Sequence, residues 1–237
     1  MREPRTPIWS AISKMNNAPA DMKPGTVGVS ISKARIMHGS SRQLWLISLW
    51  MTGLVAIAAT IDLPVARWTH EAIPVSAPKW ALKLMKSPGH FGFTLIVAAM
   101  LILWHPLRWR AAGLVCASGI ISGALCALMK WCVGRTRPLH GVAPFTLHPF
   151  IDGLRGLFEA RNLSFPSGHA TLAFATAAAL ATLLPNWRLA FWLGAALVAL
   201  ERILQGSHYP SDVVAAAALG VVSVHITLLA DDLLHRP

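Results

Sequence analysis

Residues 111–138 read AAGLVCASGIISGALCALMKWCVGRTRP, an uncharged run that ends in basic residues. Positions 111–129 contain no Asp, Glu, Lys or Arg and approach the roughly 20 apolar residues that cross a bilayer. A helix on the surface of a soluble protein would carry a polar face, and this segment offers almost none. The stretch therefore predicts a membrane-spanning helix with a basic site at its end.

The rest of the chain has the same character. Hydrophobic residues make up 54% of the 237 residues and charged residues 13%, which is about half the charged share of a soluble globular protein. Further apolar segments lie on both sides of the opening stretch. We predict an all-α polytopic membrane protein with six transmembrane helices, at about 44–62, 89–106, 111–130, 168–184, 189–205 and 212–230.

Two local patterns refine this prediction. The fourth and sixth spans are rich in small residues, over Ala170–Ala181 and Ala215–Gly220, and small residues let helices approach closely in lipid. Between the first two spans, Lys79, Lys83 and Lys86 stand at helical spacing. They indicate either a short helix on the membrane surface or one solvated face of a loop.

The ends of the chain suggest the orientation. We expect residues 1–42 to form a basic cytoplasmic tail, 43–231 the six-span domain and 232–237 a short C-terminal tail. Six spans put both termini on one side, and the basic tail favours the cytoplasm. The net charge of +11 indicates anionic lipid head groups as partners. Nucleic acid is disfavoured, because no basic run is interleaved with aromatic residues.

Three polar clusters interrupt the apolar background. One closes the third span (130–138), one opens the fourth (166–169), and one joins the fifth to the sixth (202–212). Alternation of the six spans places all three on the same face of the membrane. Ionisable groups at membrane depth are costly unless they are paired or used, so the clusters predict one functional site.

The residue types favour phosphate as the ligand. Lys130, Arg137 and Arg202 supply three cations, and guanidinium groups match phosphate oxygens bidentately. Ser167 and Gly168 stand where a helix should begin, so backbone N–H groups would face an anion. A second interpretation of Ser167 is a simple cap of that helix.

Two histidines would supply the reactivity. His208 and Asp212 are four residues apart and would share a face of a continuing helix. An Asp that fixes the His tautomer leaves the other ring nitrogen free to attack phosphorus, and His169 can protonate the leaving oxygen. His169, His208 and Asp212 would also suit a transition metal, but the three cations disfavour it. We predict a site without metal or other cofactor.

These clusters resemble the three-part signature of the type 2 phosphatidic acid phosphatase (PAP2) superfamily, which also includes vanadium haloperoxidases. Lys130 to Pro138 and Pro166 to His169 match in full, and the third part keeps its spacing, with Glu201 where the pattern has Ser. The resemblance implies a PAP2/haloperoxidase-like helical core. It also implies His208 as a nucleophile that forms phosphohistidine, oriented by Asp212, with His169 as the acid. The remaining implied role, holding the phosphoryl group, falls to Lys130, Arg137, Ser167, Gly168 and Arg202.

The leading hypothesis is therefore a lipid phosphatase of the bacterial cytoplasmic (inner) membrane, with its active site on the outer, periplasmic face. The resemblance implies undecaprenyl pyrophosphate, phosphatidylglycerol phosphate, phosphatidic acid or lipid A 1-phosphate as the substrate. Glu201 should turn away from phosphate or pair with an arginine, either Arg135 or Arg202. The alternatives are vanadate-dependent haloperoxidase activity and a non-catalytic protein that binds or transports lipid phosphate.

Overall fold

The computed structural model describes residues 41–72, 79–138, 147–150, 153 and 163–234, which all fall within one unit, Gly39–Pro237. These ranges contain eight α-helices, and the only strand-like feature in them is an isolated bridge between Arg135 and Leu147. The prediction of an all-α chain is confirmed for this part of the sequence. The helices are α1 Ser41–Thr60, α2 Asp62–Ala72, α3 Lys79–Lys86, α4 Phe91–Trp104, α5 Arg108–Val133, α6 Gly168–Leu183, α7 Arg188–Leu204 and α8 Pro210–Leu234.

Helix α6 packs against α5, α7 and α8 and so lies at the centre of the bundle. Most of its buried residues are alanines. On α8, a Cβ atom added to Gly220 would lie 2.7 Å from the backbone nitrogen of Ala175, so the two helices approach more closely than any other residue would allow. The prediction that small residues set this packing is confirmed.

The outer surface of the bundle is apolar. Large side chains such as Leu103, Leu189 and Leu193 are more than half exposed. A soluble protein of this size seldom exposes so many, whereas lipid chains can cover them. The inside of the bundle, by contrast, contains the buried charges of the candidate site.

The predicted number of spans is not confirmed. Two of the described helices, α5 and α8, are long and apolar enough to cross a membrane. Two more spans result if bent pairs are counted, with bends of 45° after Thr60 and of 64° before Phe91. Helices α6 and α7 have 16 and 17 residues, about 24–26 Å, which is less than the roughly 30 Å of a hydrocarbon core.

Helix ends differ slightly from the predicted boundaries. The expected tail 1–42 lies outside the described residues, except that α1 already begins at Ser41. Helix α8 continues to Leu234, three residues beyond the predicted end of the domain. The lysine-rich segment is a helix, α3, and its place relative to the membrane stays a prediction.

The end of α5 is shaped by one glycine. Gly134 has φ +62°, and a Cβ there would lie 1.8 Å from the carbonyl oxygen of His148. This left-handed residue ends the helix and turns the basic segment from Arg135 to Pro138 back toward the starts of α6 and α8. The fold thereby brings together the helix ends that carry the three polar clusters.

Candidate active site

His208 lies in the turn between α7 and α8 and is buried. Its Nδ1 is 2.9 Å from the carbonyl oxygen of Ser164 and 3.5 Å from Oδ2 of Asp212. Because a carbonyl oxygen only accepts hydrogen bonds, Nδ1 carries the proton and Nε2 holds a free lone pair. Burial lowers the pKa of His208 from 6.5 to about 4, against the opposing effect of Asp212. The imidazole is therefore neutral at physiological pH.

Asp212 lies in the first turn of α8 and is completely buried. Its Oδ2 accepts hydrogen bonds from the hydroxyl of Ser164 and, at 2.8 Å, from the backbone N–H of Tyr209. The predicted geometry was wrong in one respect, because α8 begins at Pro210 and His208 therefore precedes the helix. The pair still meets, since the turn folds back over the helix start.

Ser167 and Gly168 stand at the start of α6, as predicted. Ser167 occupies the N-cap position but makes no side-chain capping hydrogen bond. The hydroxyl of Ser167 is buried and has no hydrogen-bond partner among the described residues, although buried polar groups are normally satisfied. The backbone N–H of Ser167 donates to the Asp212 carbonyl oxygen at 3.2 Å, so the starts of α6 and α8 are joined.

Two of the predicted cations come from the end of α5 and the segment after it. Lys130 is buried in the last turn of α5, and its ammonium donates to the carbonyl oxygen of Leu163. Arg137 is half-buried. Both lie within electrostatic range of Asp212 and His208.

The third cation, Arg202, is buried near the end of α7. Its guanidinium donates two hydrogen bonds to the carboxylate of Glu201 and one, at 2.6 Å, to Oε1 of Gln205. Of the two arginines considered for Glu201, the structure pairs it with Arg202. The carboxylate at the one position that departs from the family pattern therefore neutralises part of the positive charge of the site.

His169 is the second residue of α6 and is half-buried. Its ring meets the ring of His90 edge-on, with centroids 4.7 Å apart. It lies within electrostatic range of Arg202 and of His208. The structure therefore brings all eight predicted residues to one region, where four helix ends meet.

Sequence reasoning missed Ser164 and Asp62, which hold this region together, and considered Arg135 only as a partner of Glu201. Ser164 binds both members of the His–Asp pair, and its N–H donates to the Arg135 carbonyl oxygen at 2.7 Å. Arg135 and Asp62 form a buried ion pair at 2.8 Å beside Asp212. Opposite charges at the ends of separate apolar spans were the available signal for that pair, whereas nothing in the sequence distinguishes Ser164.

Comparison with known proteins gives this arrangement a family. The family model described as the PAP2 superfamily matches residues 109–234. A lipid A 1-phosphatase of Rhizobium etli is 42% identical over 103 residues, which cover 43% of this chain and 42% of the relative. A decaprenylphosphoryl-5-phosphoribose phosphatase of Mycobacterium tuberculosis is 38% identical over 146 residues, covering 56% of this chain and 70% of that one. The match thus spans about two fifths of the length of the first of these relatives.

A solved structure shares the fold. It is the crystal structure of a transmembrane PAP2-type phosphatidylglycerolphosphate phosphatase from Bacillus subtilis, with a TM-score of 0.53 and 18% identity. The likeness covers 79% of this chain and 94% of that one. Together with the long apolar helices, these findings confirm the expected family: the chain is a membrane protein and belongs to the PAP2 superfamily.

Proposed function

We propose that this protein is a membrane lipid phosphatase that works through a phosphohistidine on His208, without a metal. The main support for this proposal is the contact between Nδ1 of His208 and the Ser164 carbonyl oxygen. It holds the ring in the tautomer whose Nε2 can attack, within electrostatic range of Lys130 and Arg137. A neutral, oriented imidazole next to cations suits attack on a phosphate ester.

The phosphoryl group would be held by the start of α6 and the surrounding cations. The hydroxyl of Ser167, which has no hydrogen-bond partner within the described part of the chain, and the first backbone N–H groups of α6 would supply donors. Lys130, Arg137 and Arg202 neutralise the phosphate oxygens. Phosphate competes with Glu201 for Arg202, so this arginine contributes less than an unpaired one would.

The reaction then has two balanced steps. Nε2 of His208 attacks phosphorus, a P–N bond forms, the P–O bond to the lipid breaks, and His169 gives its proton to the leaving oxygen. In the second step water attacks phosphorus, His169 takes a proton from that water, and the P–N bond breaks to release inorganic phosphate. Asp212 stabilises the positive charge that develops on His208 in both directions.

A lipid substrate fits the position of the site, because a substrate held in the bilayer would meet the helix ends directly. The relatives named above are a lipid A 1-phosphatase and a decaprenylphosphoryl-5-phosphoribose phosphatase, and another is an undecaprenyl-diphosphatase of Sulfolobus acidocaldarius. We infer a lipid phosphate monoester or diphosphate of this class. The proposed topology has six spans, with α6 and α7 as short ones, both termini in the cytoplasm of a bacterium, and the site on the outer face of the inner membrane.

Phosphate release tests the proposal. Purified protein in detergent and EDTA is expected to release inorganic phosphate from at least one of lipid A 1-phosphate, undecaprenyl pyrophosphate, phosphatidylglycerol phosphate and phosphatidic acid. His208→Gln should lose at least ~10³-fold in kcat because the nucleophile is gone. Complete loss of activity in EDTA would contradict the metal-free mechanism. Binding of these lipids without any phosphate release would favour the non-catalytic alternative.

A further inference from the structure

We propose that Asp62 is a positioning residue for the nucleophile His208. The carboxylate of Asp62 neutralises Arg135 and so leaves the negative charge of Asp212 available to His208. The inference rests on the proposed function, in which His208 attacks phosphorus. Asp62 lies on α2, outside the segment 109–234 that matches the family. It belongs to none of the three polar clusters.

Arg135 lies between two carboxylates. Its Nη2 donates to Oδ2 of Asp62 and its Nη1 to Oδ1 of Asp212, both at 2.8 Å. Arg135 is 3% exposed and both aspartates are 0% exposed. The guanidinium carbon also lies 3.9 Å from the centroid of the Tyr209 ring. The cation therefore has a fixed place, and charge interactions there are little screened by water.

Asp62 also fixes the start of α8. Its Oδ1 accepts a hydrogen bond from the backbone N–H of Ser211 at 2.9 Å, and its Oδ2 accepts one from the Ser211 hydroxyl. That hydroxyl in turn accepts from Nη1 of Arg135 at 2.8 Å. Because Ser211 directly precedes Asp212, these contacts hold the carboxylate that faces His208.

The net charge of Asp62, Arg135 and Asp212 affects how easily His208 attacks phosphorus. When Nε2 of His208 bonds to phosphorus, the ring becomes positive, and nearby negative charge stabilises that state. Asp62, Arg135 and Asp212 together carry one net negative charge. Without Asp62 the group would be neutral, and it would offer no net negative charge to the positive ring of His208. Attack on phosphorus should then be slower.

Asp62→Asn tests this inference in single turnover with p-nitrophenyl phosphate and saturating enzyme. As long as folded enzyme stays in saturating excess over the substrate, the rate constant for nitrophenol release does not depend on how much of the protein is folded. We expect the rate constant to fall about 10- to 100-fold, within the range by which residues of one ion-pair network influence each other. A matched control is Asp231→Asn, which breaks a half-exposed pair with Arg110 and should leave the rate constant within about twofold of wild type.

A second variant makes the test specific to Arg135. In Asp62→Asn/Arg135→Gln the cation is gone, so the missing carboxylate has nothing to neutralise, and the double variant should react at least about fivefold faster than Asp62→Asn. If Asp62→Asn does not fold, the double variant is compared with Arg135→Gln, and the two should have similar rate constants.

Three outcomes would overturn the inference. The first is an Asp62→Asn protein with a wild-type rate constant and only a lower thermal stability. The second is a double variant that recovers nothing. The third is a double variant about tenfold slower than Arg135→Gln. A wild-type protein that hydrolyses p-nitrophenyl phosphate but no lipid phosphate would refute the lipid substrate while leaving this test intact.

Discussion

At the scale of single residues, His208 and His169 have separable tasks in the proposed mechanism. His208 forms and breaks the bond to phosphorus, so its loss should abolish the turnover of every substrate. His169 moves protons, first to the leaving oxygen and then from water. The need for the first proton depends on the leaving group, because an alkoxide leaves poorly without one whereas nitrophenolate leaves easily.

His169→Ala should therefore respond differently to two substrates. On a lipid phosphate we expect kcat to fall about 10²- to 10⁴-fold. With p-nitrophenyl phosphate the first step should proceed and the second stall, giving a burst of about one nitrophenol per enzyme. His225→Ala is the matched control, since His225 is exposed on α8 and bonds only to the Val221 carbonyl oxygen among its described contacts. Equal losses on both substrates, without a burst, would contradict the role of His169.

The residue types of the site could be predicted from the sequence, but the hydrogen bonds and ion pairs that hold these residues in place could not. Cations, histidines and a serine before a helix indicate phosphate chemistry through their own functional groups. Ser164 acts through its position, since its carbonyl oxygen and hydroxyl meet His208 and Asp212 of one polar cluster and its N–H meets Arg135 of another. Such a role depends on the tertiary fold and leaves no pattern in the sequence. The same holds for Asp62, which lies 150 residues from Asp212 along the chain.

At the scale of secondary structure, α3 is the element whose role the sequence left open. The turn after α3 packs closely against His169, the proposed acid, because a Cβ atom at Gly89 would lie 2.8 Å from Cβ of His169. Lys86, at the end of α3, is half-buried and lies within electrostatic range of Arg202 and Arg137. Lys83, on the same helix, is exposed. The helix thus turns one lysine toward the site and another away from it.

Lys86→Met should raise KM for a lipid phosphate about three- to tenfold with little change in kcat, because one cation that attracts the substrate is lost. The difference from wild type should shrink as salt is added, since salt screens exposed charges. Steady-state kinetics at low and high ionic strength measure both effects. Lys83→Met serves as the control and should behave as wild type. If both variants raised KM equally, α3 would have only a general attraction for anions.

The helices themselves were the most predictable feature at this scale. Each of the six predicted spans corresponds to a described helix, within a few residues at its ends. Apolar runs specify helices well in a membrane, where every backbone group must be satisfied internally. The bends of 45° and 64° were not predictable, because they depend on how α2 and α3 pack against the rest of the bundle.

At the scale of the whole molecule, an apolar perimeter surrounds a charged centre. Exposed leucines cover the outside, while Asp62, Arg135, Glu201, Arg202 and Asp212 are almost fully buried. Buried charges are tolerated only when they are paired and hydrogen-bonded, and each of these five has such a partner. In the proposed function, the fold holds the helix ends of α5, α6, α7 and α8 around one anion.

In the proposed mechanism this anion becomes covalently bound to His208. That bond can be detected by rapid quenching of EDTA-treated protein with a lipid phosphate that carries a radiolabelled phosphate group, followed by peptide mapping under alkaline conditions, where phosphohistidine survives. We expect label on the peptide that contains His208 and none in His208→Gln. Release of inorganic phosphate with no labelled peptide, or with label on a different residue, would contradict it.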